Sequence, residues 1–136
     1  MLTIAVDFDG TIVEHAYPKI GREIPFAIST LRKLQDEDGC RIVLWTVRSG
    51  PLLDEAVAFC RQRGLEFYAV NAEFPEEDRL DDGRRKIAAD VYIDDRNLGG
   101  LPDWGVIYTA LHDGLKPEWG GAYAPKPKRP WWKFWN

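Results

Sequence analysis

The sequence lacks most of what would mark a membrane, secreted or disulfide-stapled chain. Its two cysteines, Cys40 and Cys60, are too few for a disulfide scaffold and have no metal-ligand spacing. They fit best as small buried hydrophobes. No run of about 18 apolar residues exists, so no segment is expected to span a bilayer. The N-terminal apolar run, Leu2 to Val6, is too short for a signal segment and ends on Asp7, which makes the cytoplasm the expected location. No internal repeat is visible. At about 150 residues per domain, 136 residues leave no room for a second folded domain.

What is present suits a globular body, with 45% hydrophobic and 29% charged residues. A chain of this size hides roughly two thirds of its unfolded surface, enough for a core without staples. The net charge of -4 is unevenly spread. From residue 116 onward, Lys116, Lys126, Lys128, Arg129 and Lys133 oppose only Glu118, so the tail carries +4 and residues 1 to 115 carry -8. Trp119, Trp131, Trp132 and Trp135 lie in the same tail, with Pro117, Pro125, Pro127 and Pro130. The expected division is a folded domain over residues 1–115 and a basic, Trp/Pro-rich appendage over 116–136.

Within the body, short apolar runs alternate with segments of helical period, the pattern of a parallel sheet covered by helices on both faces. The candidate strands are Leu2 to Val6, Arg41 to Trp45, Glu66 to Val70, Asp90 to Ile93 and Gly105 to Tyr108, giving about five. One helix carries Ile24, Ile28, Leu31 and Leu34 on a single face and stops at Gly39. A second follows Ser49, Gly50 and Pro51, with Asp54 and Glu55 expected in its first turn and Gly64 just past its end. Between Asn71 and Ala89 only the last part has a helical pattern.

In such a sheet a ligand sits beyond the carboxyl ends of the strands, so the residues there are the ones to examine: Asp7, Thr46, Asn71 and Asp94. Residues 7 to 11 run Asp-Phe-Asp-Gly-Thr, so Asp7 and Asp9 share a side if strand geometry persists, and Gly10 allows a sharp departure. Neighbouring carboxylates repel unless a cation or a shared proton relieves them. A hard divalent cation, Mg²⁺ above all, is the simplest relief. An EF-hand is excluded, because the sixth and twelfth positions counted from Asp7 are Ile12 and Pro18 rather than Gly and Glu. Thr46 falls beside the next helix's N-terminus, a setting that favours an anion such as phosphate. Asp94 and Asp95 form a second acidic pair at the same edge, and Lys86, eight residues before Asp94, is a candidate to reach over it.

Asp7-Phe-Asp9-Gly10-Thr11, Thr46, Lys86 and Asp94-Asp95 together resemble the four ordered motifs of the haloacid dehalogenase-like (HAD) phosphatase superfamily, over about residues 1 to 112. The resemblance implies a three-layer Rossmann-like α/β fold and hydrolysis of phosphoric monoesters through an aspartyl-phosphate. On that likeness Asp7 is the nucleophile and Asp9 the general acid and base. Mg²⁺ is held by Asp7, the main-chain carbonyl of Asp9, and Asp94, with Asp95 orienting the site from beside the metal. Thr46, Lys86 and Gly10 border the phosphate, the first two offsetting its charge. Asp9 also argues against transport ATPases of this fold, which carry Thr there, and against dehalogenases, which lack a second Asp.

Only 34 residues separate Thr11 from Thr46 and 19 separate Val70 from Asp90, too few for a cap domain, so the site is expected to be open, as in capless relatives. The stretch His15 to Arg22 is a candidate flap. His15 and Arg48 are candidate substrate contacts, and Arg48, with Arg84 and Arg85, is a candidate for a second anionic group. A small phosphorylated molecule is the expected substrate. The tail is expected to pack on its own domain or on another copy in a homo-oligomer, ahead of nucleic acid or membrane. The competing expectations are a polynucleotide 3′-phosphatase and a non-catalytic or partner-dependent binding module that works through the tail.

Overall fold

The structure, a computed structural model, describes residues 2–75 and 86–113. Its elements run β1 (Thr3–Val6), α1 (Ala27–Asp38), β2 (Arg41–Leu44), α2 (Gly50–Gln62), β3 (Ala69–Val70), β4 (Val91–Ile93) and α3 (Trp104–His112). The strands form one parallel sheet of four in the order β3-β2-β1-β4, consistent with a Rossmann-like fold. Val6 is paired with Leu44 on one side and with Ile93 on the other. The ends of the three longest strands are therefore level.

The sheet's alternation divides the core. Ile4, Val6, Ile42 and Leu44 project into a cluster completed by Ile28, Leu31 and Leu34 of α1, Leu53, Ala56 and Cys60 of α2, and Trp104, Ile107 and Leu111 of α3. Ala5, Val43 and Ala69 project the other way, against Ala72 and Ile87. The three described helices thus cover one face of the sheet, and Ala72 and Ile87, from the described ends of the β3–β4 connection, pack on the other. Cys40 and Cys60 are both buried and unpaired, as expected.

Each helix stops and starts for local reasons. Gly39 takes the left-handed conformation after α1 (φ 66°), and its N–H donates to the Leu34 carbonyl. Pro51 sits in the first turn of α2, where its missing N–H costs nothing. Asp103 caps α3, its side chain accepting from the Gly105 N–H at 2.7 Å.

Three expectations need correction. Gly105 to Tyr108 is not a fifth strand but lies inside α3: Trp104, Ile107 and Leu111 recur at helical spacing and all are buried. A four-residue apolar window holds too little of either period to separate them. The third strand is two residues long rather than five, ending at Val70 as expected. The connection before β4 shows no helix at Lys86–Ala89, and the rest of that expected helix lies outside the described residues. So do Arg84, Arg85, the acidic run 76–82 and the whole 116–136 tail. Among the described residues no helix is long and apolar enough to cross a membrane.

Trp104 ties α3 to the loop that follows β1. Its ring is 2% exposed and its indole N–H donates to the Thr11 carbonyl at 3.1 Å. Trp104→Phe should leave that buried carbonyl without a partner and destabilise the protein by about 1–3 kcal/mol, as read from urea unfolding.

Candidate active site

β1 and β4 are adjacent, yet the chain reaches β4 only after running through β2 and β3 on the other side of β1. The sheet therefore reverses direction between β1 and β4, and a crevice opens beyond that point. Asp7 and Asp94 are the next residues after these two strands. The Asp7 N–H donates to the Ile93 carbonyl at 3.0 Å, so the ladder fixes Asp7 beside the end of β4. Carboxylate oxygens of Asp7, Asp94 and Asp95 all come within 4.8 Å of one another. Burial, and then the charge of Asp94, push the Asp7 carboxyl up from 3.8 to about 7, with Asp95 adding to the shift.

Thr11 stands between the two arms of this cluster. Its hydroxyl lies 3.4 Å from Asp7 Oδ2 and 3.5 Å from Asp95 Oδ1, and it accepts the Asp95 N–H at 3.1 Å. Gly10, at φ 84°, is where the loop passes closest: a Cβ there would come 2.3 Å from Asp95 Oδ2. The Arg96 N–H donates to Asp94 Oδ1 at 2.9 Å, orienting that side chain.

Asp9 has a different environment. Its carboxylate is 7% exposed and takes two bonds from Arg48, Nε to Oδ2 at 2.8 Å and Nη2 to Oδ1 at 2.7 Å. Thr46 is held by both flanks: its N–H donates to Asn71 Oδ1 at 2.8 Å, and its Oγ1 accepts the Arg48 N–H at 3.1 Å. None of the described contacts uses the Thr46 hydroxyl hydrogen, which leaves it available to the crevice.

The crevice is small, about 170 Å³, and is lined by Asp7, Asp9, His15, Trp45, Thr46, Val47, Asp94 and Arg96. It brings together most of the expected site, namely Asp7, Asp9, Thr46, Asp94 and His15. Asp95 lies closer to Asp7 than an orienting role required and contributes its own carboxylate to the cluster. Two expectations fail. Lys86 is not among the residues that line the crevice: it is exposed, with Nζ 4.7 Å from the centre of the Tyr92 ring, which packs on the lining residue Trp45. Arg48 is not free to bind an anionic substrate, because its side chain is fully buried against Asp9. Arg96 and Asn71 were not foreseen in their roles, although Asn71 was marked by its place just after β3.

The donor set fits a hard divalent cation. Three carboxylates meet with no Lys or Arg ion-paired to any of them among the described residues, and the one buried cation nearby is committed to Asp9.

Because the Asp7 carboxyl is raised, between pH 3.8 and about 7 the unfolded chain has released a proton that the folded protein still holds. Stability in EDTA should therefore fall as pH rises through that window. Asp7→Asn should flatten this fall and raise Tm at pH 8, while Mg²⁺ or Mn²⁺ should raise the wild-type Tm at pH 8 and much less at pH 5. Calorimetry across pH checks all three. Gly10→Ala should strain the loop at positive φ, force Asp95 aside, lower Tm and abolish the metal-induced rise at pH 8.

No family model matches the sequence, and no curated protein does. Among solved structures the chain is similar to a conserved protein from Bacteroides thetaiotaomicron. The two are 57% identical, the match covers 82% of this chain and 90% of that one, and the TM-score is 0.74. Identity at that level across most of both chains reflects common descent as well as common fold, and the chain belongs to the family of that conserved Bacteroides thetaiotaomicron protein.

Proposed function

We propose that the chain is a divalent-cation-dependent phosphomonoester hydrolase of the HAD type, working through an aspartyl-phosphate on Asp7. The observation that supports this best is the convergence of Asp7, Asp94 and Asp95 at the sheet's reversal point, with Asp7 lining a phosphate-sized crevice opposite Thr46. A stable fold gains nothing from three carboxylates that repel each other. They make sense as a site that is completed by a cation and an anionic substrate.

Asp7, Asp94 and Asp95 would hold the cation, with Mg²⁺ expected. When bound, it offsets the carboxylate charge and polarises the phosphoryl oxygens. Asp7 in its ionised form attacks phosphorus, forming an O–P bond as the bond to the leaving oxygen breaks. Asp9, protonated from solvent and with one oxygen freed from Arg48, gives that proton to the leaving oxygen. In the second half, water attacks the aspartyl-phosphate, Asp9 takes the water's proton, and inorganic phosphate departs as Asp7 is restored. The Thr46 hydroxyl donates to a phosphoryl oxygen, aimed by Asn71 and by the Arg48 N–H. His15 and Arg96 border the outer crevice and meet the leaving group. The crevice is open, which suits a small phosphorylated molecule.

Purified protein with Mg²⁺ should release phosphate from part of a broad phosphomonoester panel, and EDTA should stop it. Asp7→Asn should lower kcat by roughly 10³-fold or more, and Thr46→Val by roughly 10²-fold. No release from any substrate, or an Asp7→Asn protein as active as wild type, overturns the proposal.

A further inference from the structure

The stretch His15 to Arg22, expected as a flap, borders the crevice through His15. It is a loop closed at its base by the Val13–Glu23 bridge, by the Glu14 N–H donating to the Arg22 carbonyl at 2.7 Å, and by the Ile24 N–H donating to the Ile12 carbonyl at 2.8 Å. Its tip, residues 15–20, carries His15 into the crevice. Among the described residues the tip makes two hydrogen bonds to the body, and both go to one side chain. Arg48 Nη1 donates to the Pro18 carbonyl at 3.2 Å and Nη2 to the Lys19 carbonyl at 3.0 Å.

The same guanidinium holds Asp9. Its five N–H groups are all used, two on the Asp9 carboxylate, two on the tip and one on the Leu52 carbonyl of α2 at 3.4 Å. The Phe8 ring lies 5.1 Å from it and the Tyr17 ring, itself part of the tip, 5.2 Å. A guanidinium buried to this degree cannot lose two acceptors without cost, since water does not reach the donors left behind. Lifting the tip strips Arg48 of the Pro18 and Lys19 carbonyls and of the Tyr17 ring, three of the contacts that fix the fork's place on Asp9.

We propose that Arg48 is a positioning residue that couples the flap tip to the side-chain position of Asp9. With the tip down, both Asp9 oxygens are held by Arg48. With the tip displaced by a bound leaving group, one of them is released toward the crevice. Phosphoryl transfer to a poor leaving group is then allowed only when that leaving group occupies the space under the tip. The functional half of this inference rests on the hydrolase proposed above, and the structural half does not.

Two measurements on the full chain test it. Trypsin cuts after Lys19, which is exposed on the tip, and the cut is followed by mass spectrometry. Asp9→Asn replaces one accepting oxygen with an NH₂ group that cannot take the Arg48 bond. Cleavage at Lys19 should then be at least tenfold faster at unchanged far-UV circular dichroism, and Tyr17→Ala, which alters a half-exposed ring, should do the same. Wild-type cleavage rates in both folded variants overturn the coupling. For activity, Arg48→Lys and Tyr17→Ala are compared on an alkyl and an aryl phosphate, the first needing a proton on its leaving oxygen and the second not. The alkyl rate should fall at least tenfold more than the aryl rate, through kcat rather than KM. Equal losses, or losses in KM alone, overturn the positioning role. Should Arg48→Lys not fold, Tyr17→Ala decides. A wild-type protein that hydrolyses neither ester refutes the proposed hydrolase, while the trypsin result still decides whether the tip and Asp9 are linked.

Discussion

The register between β1 and β4 is the constraint from which the rest of the site follows. Val6 is paired with Ile93, so the next residue on each strand, Asp7 and Asp94, is delivered to the same place by a hydrogen-bonded ladder that neither backbone can leave. The Asp90 side chain secures the other end of that ladder, accepting the Thr3 N–H at 2.8 Å. Between these ends lie Ile4 and Val6, fully buried against all three helices. Burial energy from the core thus holds Asp7 away from water and beside like charges, and burial first, then the charges of Asp94 and Asp95, push its carboxyl up to about 7.

The loop after β1 divides the local charge into two compartments. Gly10 turns the chain so that Asp7 stays with Asp94 and Asp95, while Asp9, two residues on, is carried to Arg48. Strand alternation alone would have left Asp7 and Asp9 side by side. Instead one carboxylate is neutralised by the protein and three are not. Thr11, with its hydroxyl between Asp7 and Asp95 and its carbonyl on the Trp104 indole, fixes the position of this division against α3.

Much of this was legible because strand ends and helix ends are written in local chemistry. Hydrophobic runs ending on Asp7 and Asp94, the Gly39 stop and the Pro51 start each depend on a few adjacent residues, and the structure follows them. What misled were features whose meaning is set by distant partners. Gly105 to Tyr108 is as apolar as a strand, but Asp103 caps it and α1 receives its buried face, which makes it a helix. Lys86 has the spacing to reach the crevice, yet its ammonium rests on the Tyr92 ring, behind Trp45 of the lining, a placement set by residues distant in sequence. Arg48 looked like a free cation beside a phosphate site. Nothing in its neighbours along the chain shows that Asp9, 39 residues earlier, takes its charge.

The choice of arginine at position 48 follows from the number of groups that must be met at once. A buried cation beside Asp9 could be a lysine if charge were the only demand, but an ammonium offers three donors and no plane. Here five acceptor positions, two of them on one carboxylate and two on the flap, surround the group, and aromatic rings lie near it on the Phe8 and Tyr17 sides. Only a planar fork meets that arrangement without orphaning a carbonyl. An interaction this demanding of geometry is a poor source of raw stability, since desolvating both ions offsets most of their attraction. Its value lies in specification: it fixes which way Asp9 faces and ties that direction to a segment that borders both the crevice and the solvent.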